Sequence, residues 1–248
     1  MPSMASTRAA RSAVVAATVI GGSSLLAFGA FLLLGPLWSI GLGCSTTGAL
    51  TVNTALSLAF FAQHSGMIRR PFESRMSRIV PRYLHRALYA VASGLVLWAV
   101  MLLWQPVEPV LVSAGPPLRW LLRALFVAAA AGFLWGLRSL EALDGFGARP
   151  IRAHLRGASP AEPELAARGA YRWVRHPLYT AVLVMIWAAP DVTADRLLFN
   201  VLWTVWVVIA VRLEERDLVA EFGDAYRRYQ RQVPMLLPTH KPTGPRTR

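Results

Sequence analysis

One cysteine and one lysine stand in a chain of 248 residues, and 26 basic side chains outnumber 13 acidic ones. Cys44 alone provides neither a disulfide nor the thiolate set of a structural zinc site. The five histidines, at 64, 85, 154, 176 and 240, fall without ligand spacing, so no metal site is expected. Charge itself is in short supply. Asp, Glu, Lys and Arg make up 16%, against about 25% in a soluble domain. Apolar residues make up 55%, and a soluble fold is excluded. A Gly-rich phosphate-binding turn between strand and helix is missing too: Gly145-Phe146-Gly147 is too short and follows no strand. Any nucleotide-like cofactor must be held by another geometry.

The apolar residues lie in long uncharged blocks. Stretches 12–35 and 88–105 run 24 and 18 residues without a charged side chain. Those at 46–61 and 124–137 run 16 and 14, and those at 178–189 and 197–211 run 12 and 15. Crossing ~30 Å of hydrocarbon takes roughly 17–25 helical residues. Four spans follow, at about 12–35, 46–64, 87–105 and 118–139, the second and fourth completed by their polar ends. The first begins after Arg8 and Arg11, as a secretion signal does. Its apolar run exceeds a signal core of roughly 7–15 residues and reads as a retained span.

Of the 26 basic residues, 23 sit before 12 or in 66–86, 138–176 and 212–248, that is, on alternate loops. Loops 36–46 and 105–117 hold none. Positive charge stays on the cytoplasmic side, so both termini are expected in the cytoplasm, and the setting expected is a bacterial inner membrane. The formal charge of +13 is then a topology signal with an affinity for anionic lipid head groups. It is not a nucleic-acid footprint. Trp38, Trp104 and Trp120 mark the outer interface as an aromatic belt.

The segment 141–168 is Pro-, Gly- and Ala-rich without apolar periodicity, a cytoplasmic loop that is either a lid or a tether. Beyond it, two apolar helices at about 178–189 and 196–213 are joined by 190–195. The first would be only ~18 Å long. A tilted or recessed hairpin with both ends near the cytoplasmic face is expected. Arg172, Arg175 and His176 enter it, and Glu214, Glu215, Arg216 and Asp217 leave it. An amphipathic stretch, 218–232, carries Tyr226 and Tyr229 at i, i+3 and ends at Val233-Pro234. Ionisable groups at membrane depth are expensive and mark function. A cationic and an anionic cluster facing each other also make a salt-bridge clamp, and composition does not separate the two readings. Pro177 starts its helix at the first turn in either case.

The strings RHPLY at 175–179, EERDL at 214–218 and FGDAYRRYQRQVPMLLP at 222–238 resemble, in this order, the isoprenylcysteine carboxyl methyltransferase superfamily of membrane methyltransferases. That superfamily also holds phospholipid methyltransferases. Within it, FAQHSGMIRRPFE (61–73), HRALY (85–89), LLWQP (102–106) and LDGFGARPI (143–151) resemble the bacterial methanethiol S-methyltransferase family, from about residue 50 to 238. There is a departure at His85-Arg86-Ala87-Leu88-Tyr89, where that family carries an Arg-Ser-Thr-Tyr-like string led by Glu. A hydroxyl pair and a carboxylate are missing there, which bears on the acceptor and leaves the donor site untouched.

The resemblance implies an all-α integral membrane protein with four transmembrane helices, plus a C-terminal short helical hairpin and a cytoplasmic amphipathic helix forming the cofactor pocket. It implies S-adenosyl-L-methionine as cofactor, held by Arg175, His176, Pro177, Tyr179, Glu214, Glu215, Tyr226 and Tyr229. A cation there would pair with the donor's carboxylate. Glu214 or Glu215 would take its ribose hydroxyls or ammonium, and the tyrosines would line the adenine or fix the C-terminal helix. The implied catalytic residues are His64, Arg86 and Tyr89. A thiol acceptor must lose its proton, and His64 and His176 have a suitable intrinsic pKa. Four regions result: the four-span region 1–140, the loop 141–168, the cofactor-binding region 169–238 and a disordered tail 239–248. The implied reaction is S-methylation of a small thiol, methanethiol to dimethyl sulfide. A lipid or lipophilic acceptor and a non-catalytic membrane protein of the same fold are the alternatives; the intact RHPLY and EER favour an enzyme. Membrane lipids are the other expected partners, and nucleic acid is not one.

Overall fold

The computed structural model describes residues 4–139, 146–158, 165 and 167–239, without the side chains of 4–6 and 70. Much of the expected loop 141–168, and the expected tail beyond Thr239, lie outside the described residues. Helix α1 (Met4–Ala16) passes through a wide π-helical turn, Ala17–Gly21, into α2 (Gly22–Leu34). Then come α3 (Thr46–Met67), α4 (Arg70–Met76), α5 (His85–Leu103) and α6 (Pro116–Ser139). They are followed by α7 (Ala148–Leu155), α8 (Pro177–Trp187), α9 (Ala194–Phe222) and α10 (Asp224–Gln232). Two short strands, β1 (Val110–Ser113) and β2 (Asp191–Thr193), pair with each other.

The protein is an all-α integral membrane protein. Four stretches are long and apolar enough to cross a bilayer: Thr7–Leu34, Arg82–Leu103, Pro116–Ser139 and Ala194–Phe222. Helix α3 has 22 residues, ~33 Å of rise, but is more polar, and it buries Asn53 and Ser57. Leu26, Trp120, Val127 and Ile209 are exposed on these helices, as contact with lipid allows.

Three local expectations change. The second apolar helix of the C-terminal region does not end at 213 but runs on through Glu214, Glu215, Arg216 and Asp217 to Phe222. Leu, Glu and Arg favour a helix whatever their charge. The stop is Gly223, whose φ of 54° suits glycine. Trp104, expected in the outer belt, is buried, and its indole N–H donates to Asp195 Oδ2 at 2.9 Å. Trp38 and Trp120 are exposed. The loop after α6 contains α7, one amphipathic turn pair with Ile151 buried, too short for its period to stand out in the sequence.

The chain divides into two compact units. The first comprises Met1–Pro109, Asp144–Glu162 and Thr193–Phe199. In it, α5 packs on α3, on α2 and on the wide turn. Gly94 permits the last contact, because a Cβ there would lie 3.0 Å from the Ile20 carbonyl oxygen. At the far end of α5 the side chains of Phe31, Trp104 and Phe199 meet with ring centroids 5.5–5.8 Å apart. Around them, polar backbone groups are satisfied by side chains. Asn53 Nδ2 donates to the Gln105 carbonyl at 2.8 Å, and Asn53 Oδ1 accepts from the Gln105 N–H at 2.8 Å. Asp195 accepts from Trp104 and from the Val107 N–H at 3.1 Å, while Arg196 Nη2 donates to the Leu32 carbonyl at 2.9 Å.

The second unit comprises Val110–Leu143, Pro163–Val192 and Asn200–Arg248. Its α6 packs along α8, and Gly136 makes room for Leu178, whose Cδ2 would lie 2.8 Å from a Cβ at that position. The Asp191 carboxylate accepts from Arg119 Nη1 and Nη2 at 2.6 Å each and from Ser113 Oγ at 2.6 Å. These donors, Arg119 first and then Ser113, hold the Asp191 carboxyl below the usual range, at about 2.

Asp195→Ala leaves two buried donors unpaired, each costing about 1–3 kcal/mol. Its thermal unfolding midpoint in detergent is expected to fall well below that of the exposed control Ser113→Ala, as measured by circular dichroism.

Candidate active site

The C-terminal motifs of the second unit are assembled by backbone as much as by side chains. Ser139 Oγ, at the end of α6, accepts the Ala170 N–H at 3.0 Å and fixes the tight turn Gly169–Arg172. Pro177 begins α8, since its ring presets the helical φ and lacks the N–H that a first turn leaves unpaired. Arg175 and His176 thereby stand immediately before the helix. The C-terminal segment runs beside them: the Arg175 N–H donates to the Pro234 carbonyl at 2.9 Å and the His176 N–H to that of Met235 at 3.2 Å. Thr180 Oγ1 donates to the Leu236 carbonyl at 2.8 Å.

Glu215 closes the arrangement from α9. Its Oε1 accepts from Arg175 Nε at 2.6 Å and from His176 Nε2 at 3.1 Å, and its Oε2 accepts from Gln230 Nε2 at 3.1 Å. Arg175 Nη1 donates to the carbonyls of Gln230 and Val233 at 3.0 and 2.5 Å. Tyr229 donates to the Tyr171 carbonyl at 2.5 Å, and its ring meets that of Tyr226 edge-on at 5.7 Å. The Tyr179 ring lies 5.8 Å from that of His176. RHPLY, the second Glu of EER and the C-terminal helix therefore meet, and the Arg175–Glu215 pair is a clamp in geometry.

Several polar groups beside the clamp are not used by it. Glu214 is half-buried and makes no hydrogen bond or ion pair among the described residues. Among the described residues, the Tyr226 hydroxyl and Arg172 Nε are buried without a hydrogen-bond partner. Buried polar atoms are normally paired; the Tyr226 hydroxyl and Arg172 Nε are exceptions, while half-buried Glu214 keeps access to solvent. A guanidinium suits a carboxylate, and a carboxylate suits a diol or an ammonium. Arg172 stands outside the donor set that the sequence motifs imply. Its signal is its place three positions before Arg175, at the entrance to the same helix.

Burial pushes the phenols of Tyr171, Tyr226 and Tyr229 above their ordinary range. Carboxylates add to it, Glu214 for Tyr171 and Glu215 for Tyr226 and Tyr229.

In the first unit, His64 on the last turn of α3 and Tyr89 near the start of α5 come together. The Tyr89 hydroxyl lies 2.8 Å from His64 Nε2 and 3.0 Å from Nδ1. Ser93 Oγ is 3.3 Å from Nδ1, and the Phe60 ring stacks on the imidazole at 5.0 Å. Arg86, grouped with them from the sequence, is exposed and makes no hydrogen bond or ion pair among the described residues. Ser93 escapes sequence reasoning, being one serine in an apolar helix; its i, i+4 spacing from Tyr89 is the available sign.

Methanethiol S-methyltransferase of a Pseudomonas species is 38% identical to the chain, over 79% of this chain and 75% of its own. The Mycobacterium tuberculosis protein of the same name is 36% identical, over 77% and 78%. Nurim of Sus scrofa is 30% identical over 68% of each chain. The chain belongs to the methanethiol S-methyltransferase family, within the wider group related to isoprenylcysteine carboxyl methyltransferase that also takes in Nurim. No family model matches it, and no solved structure does.

With raised phenol pKa values the folded state favours neutral tyrosine. That contribution is complete below about pH 10, the ordinary tyrosine value, and is lost as pH rises beyond it. Phenolate absorbance followed against pH is expected to show Tyr171, Tyr226 and Tyr229 ionising late, together with loss of helical signal.

Proposed function

We propose that the protein is an S-adenosyl-L-methionine-dependent thiol S-methyltransferase that converts methanethiol to dimethyl sulfide. The observation that supports this reading is the set Arg172, Glu214 and Tyr226, whose polar groups are left unengaged among the described residues beside the clamp that joins RHPLY, the second Glu of EER and α10. The names of the bacterial relatives supply the acceptor. When bound, the cofactor supplies an electrophilic methyl group on a sulfonium.

The chain's own residues bind, orient and keep water out. Arg172 is the cation for the donor's carboxylate, and Glu214 accepts from its hydroxyls or ammonium. Arg175, His176, Glu215 and Gln230 form the frame that holds these two in place. Pro177, Tyr179, Tyr226 and Tyr229 shape the walls. His64 and Tyr89 receive the acceptor's sulfur, and Arg86 stays at the membrane surface. Such catalysis is chiefly positioning, in dry surroundings that penalise a separated thiolate more than a charge-dispersed transition state. The basic loops orient both termini to the cytoplasm.

Calorimetry with S-adenosylmethionine on the detergent-purified protein, followed by methanethiol with detection of dimethyl sulfide, tests both halves. Binding and product are expected. Binding without product would move the acceptor to the lipophilic class, which the altered His85–Tyr89 string would suit. No binding would leave a non-catalytic membrane protein. Glu214→Gln is expected to weaken donor binding about tenfold, ~1.4 kcal/mol, at an unchanged unfolding midpoint. Glu215→Ala is expected to lower binding and midpoint together. Unchanged affinity in both Glu214→Gln and Arg172→Met would remove the donor assignment.

A further inference from the structure

The connection between α3 and α5 carries a single acid among its arginines, and that acid lies on the side of the protein. Glu73 on α4 brings its half-exposed carboxylate to 3.9 Å from Nδ1 of His85, a buried residue at the start of α5. Ser77, one turn on, donates from Oγ to the Glu73 carbonyl at 2.8 Å. Arg75, Arg78 and Arg82 are exposed, so three cations outweigh one partly covered carboxylate on the surface of this segment.

Helical turns run on past the end of α4. The N–H groups of Ser77, Arg78, Ile79 and Val80 donate to the carbonyls of Glu73, Arg75 and Met76 at 2.8–3.2 Å. Phe72, Met76 and Ile79, spaced i, i+4 and i+7, therefore share one face, within about 60° of arc. That face is uncovered. Phe72 is exposed, and Ile79, at 86%, is more exposed than any other large apolar side chain among the described residues. Ile68, just before the extended residue Arg69, is exposed as well. Single apolar side chains at a surface are ordinary, but an apolar face rimmed by charge marks an interaction surface.

Place and charge decide what covers it. Helix α3 ends at Met67 and α5 begins at His85, so both ends of the segment are tied to helices long enough to reach the membrane surface. A segment held there, apolar on one face and basic beside it, lies in the plane of the interface. Its apolar side chains then enter the acyl boundary, and its arginines extend to the phosphates. We infer that the face of Phe72, Met76 and Ile79, flanked by Arg75 and Arg78, is a seat for anionic phospholipid of the cytoplasmic leaflet. The choice of leaflet rests on the orientation proposed above; the seat itself does not. Anionic lipid is preferred because the exposed guanidinium groups stand within a Debye length, ~8 Å at physiological salt, of the head groups. The seat pins the connection between the helix ends that carry His64 and Tyr89.

Cys44 is the chain's one thiol, so Cys44→Ser gives a background for single nitroxide labels on the full-length protein in vesicles. Labels are placed on Phe72→Cys, on Ile79→Cys and on Ser74→Cys, which lies about 200° round the helix from Phe72. Collision with oxygen reports hydrocarbon, and collision with a nickel chelate reports water. In phosphatidylglycerol vesicles the oxygen-to-nickel ratio is expected to be several-fold higher for Phe72→Cys and Ile79→Cys than for Ser74→Cys. It is expected to fall toward the Ser74→Cys value in phosphatidylcholine, and in phosphatidylglycerol when Arg75→Gln and Arg78→Gln are combined. Ready nickel access to both apolar positions in phosphatidylglycerol would overturn the seat. Equal ratios in the two lipids would overturn its preference for anions. Protection from both reagents would assign the face to another protein chain and overturn the lipid reading. Each vesicle has the same lipid in both leaflets, so a reversed orientation of the protein leaves these readings unchanged.

Discussion

A carboxylate largely withdrawn from water must be neutralised, and Glu215, at the polar end of α9, is neutralised by groups from two other parts of the chain. Arg175 and His176 precede α8, Gln230 belongs to α10, and Glu215 itself is on α9. Removing one partner of such a pair typically costs about 3–5 kcal/mol, because the other is left charged and dry. Attraction alone does not make a buried pair stabilising; what it supplies here is register. The start of α8, the polar end of α9 and the fold-back of α10 all meet at one carboxylate.

Two adjacent glutamates thereby acquire different duties. On a helix they point about 100° apart, so when Glu215 faces the clamp, Glu214 faces the side of Tyr171 and Tyr226. Residue type gave no way to tell them apart. Their difference is rotational, and it is fixed by which one Arg175 reaches. The same holds for the arginines: Arg175 spends Nε and Nη1 on the clamp, whereas Arg172 retains a buried unpaired Nε.

The membrane-spanning character, the positions of α5 and α6 and the meeting of RHPLY with EER were readable from the sequence, because charge avoidance and short motifs act locally. The end of α9 was not, since the string Glu214 to Asp217 looks like a helix exit on hydropathy but continues on helix propensity to Gly223. Trp104 read as an interfacial aromatic because nothing nearby in the sequence shows that Asp195 will accept from it. Arg86 shares a helix turn with Tyr89 in sequence yet lies on the exposed side, which only the rotation of α5 settles. Ser93 was invisible for a related reason: a single hydroxyl becomes informative only when its hydrogen-bond partners are known.

The carbonyls of Gln230, Val233, Pro234, Met235 and Leu236 all take part in holding Arg175, His176 and Thr180. The clamp is thus completed by backbone that the ribosome delivers late, some 55 residues after the residues it holds in place. The apolar helices up to α9 are made, and can enter the membrane, before the segment that shapes the site exists. An unfinished chain therefore has its spans but not the clamp, which closes only after the apolar helices have been made.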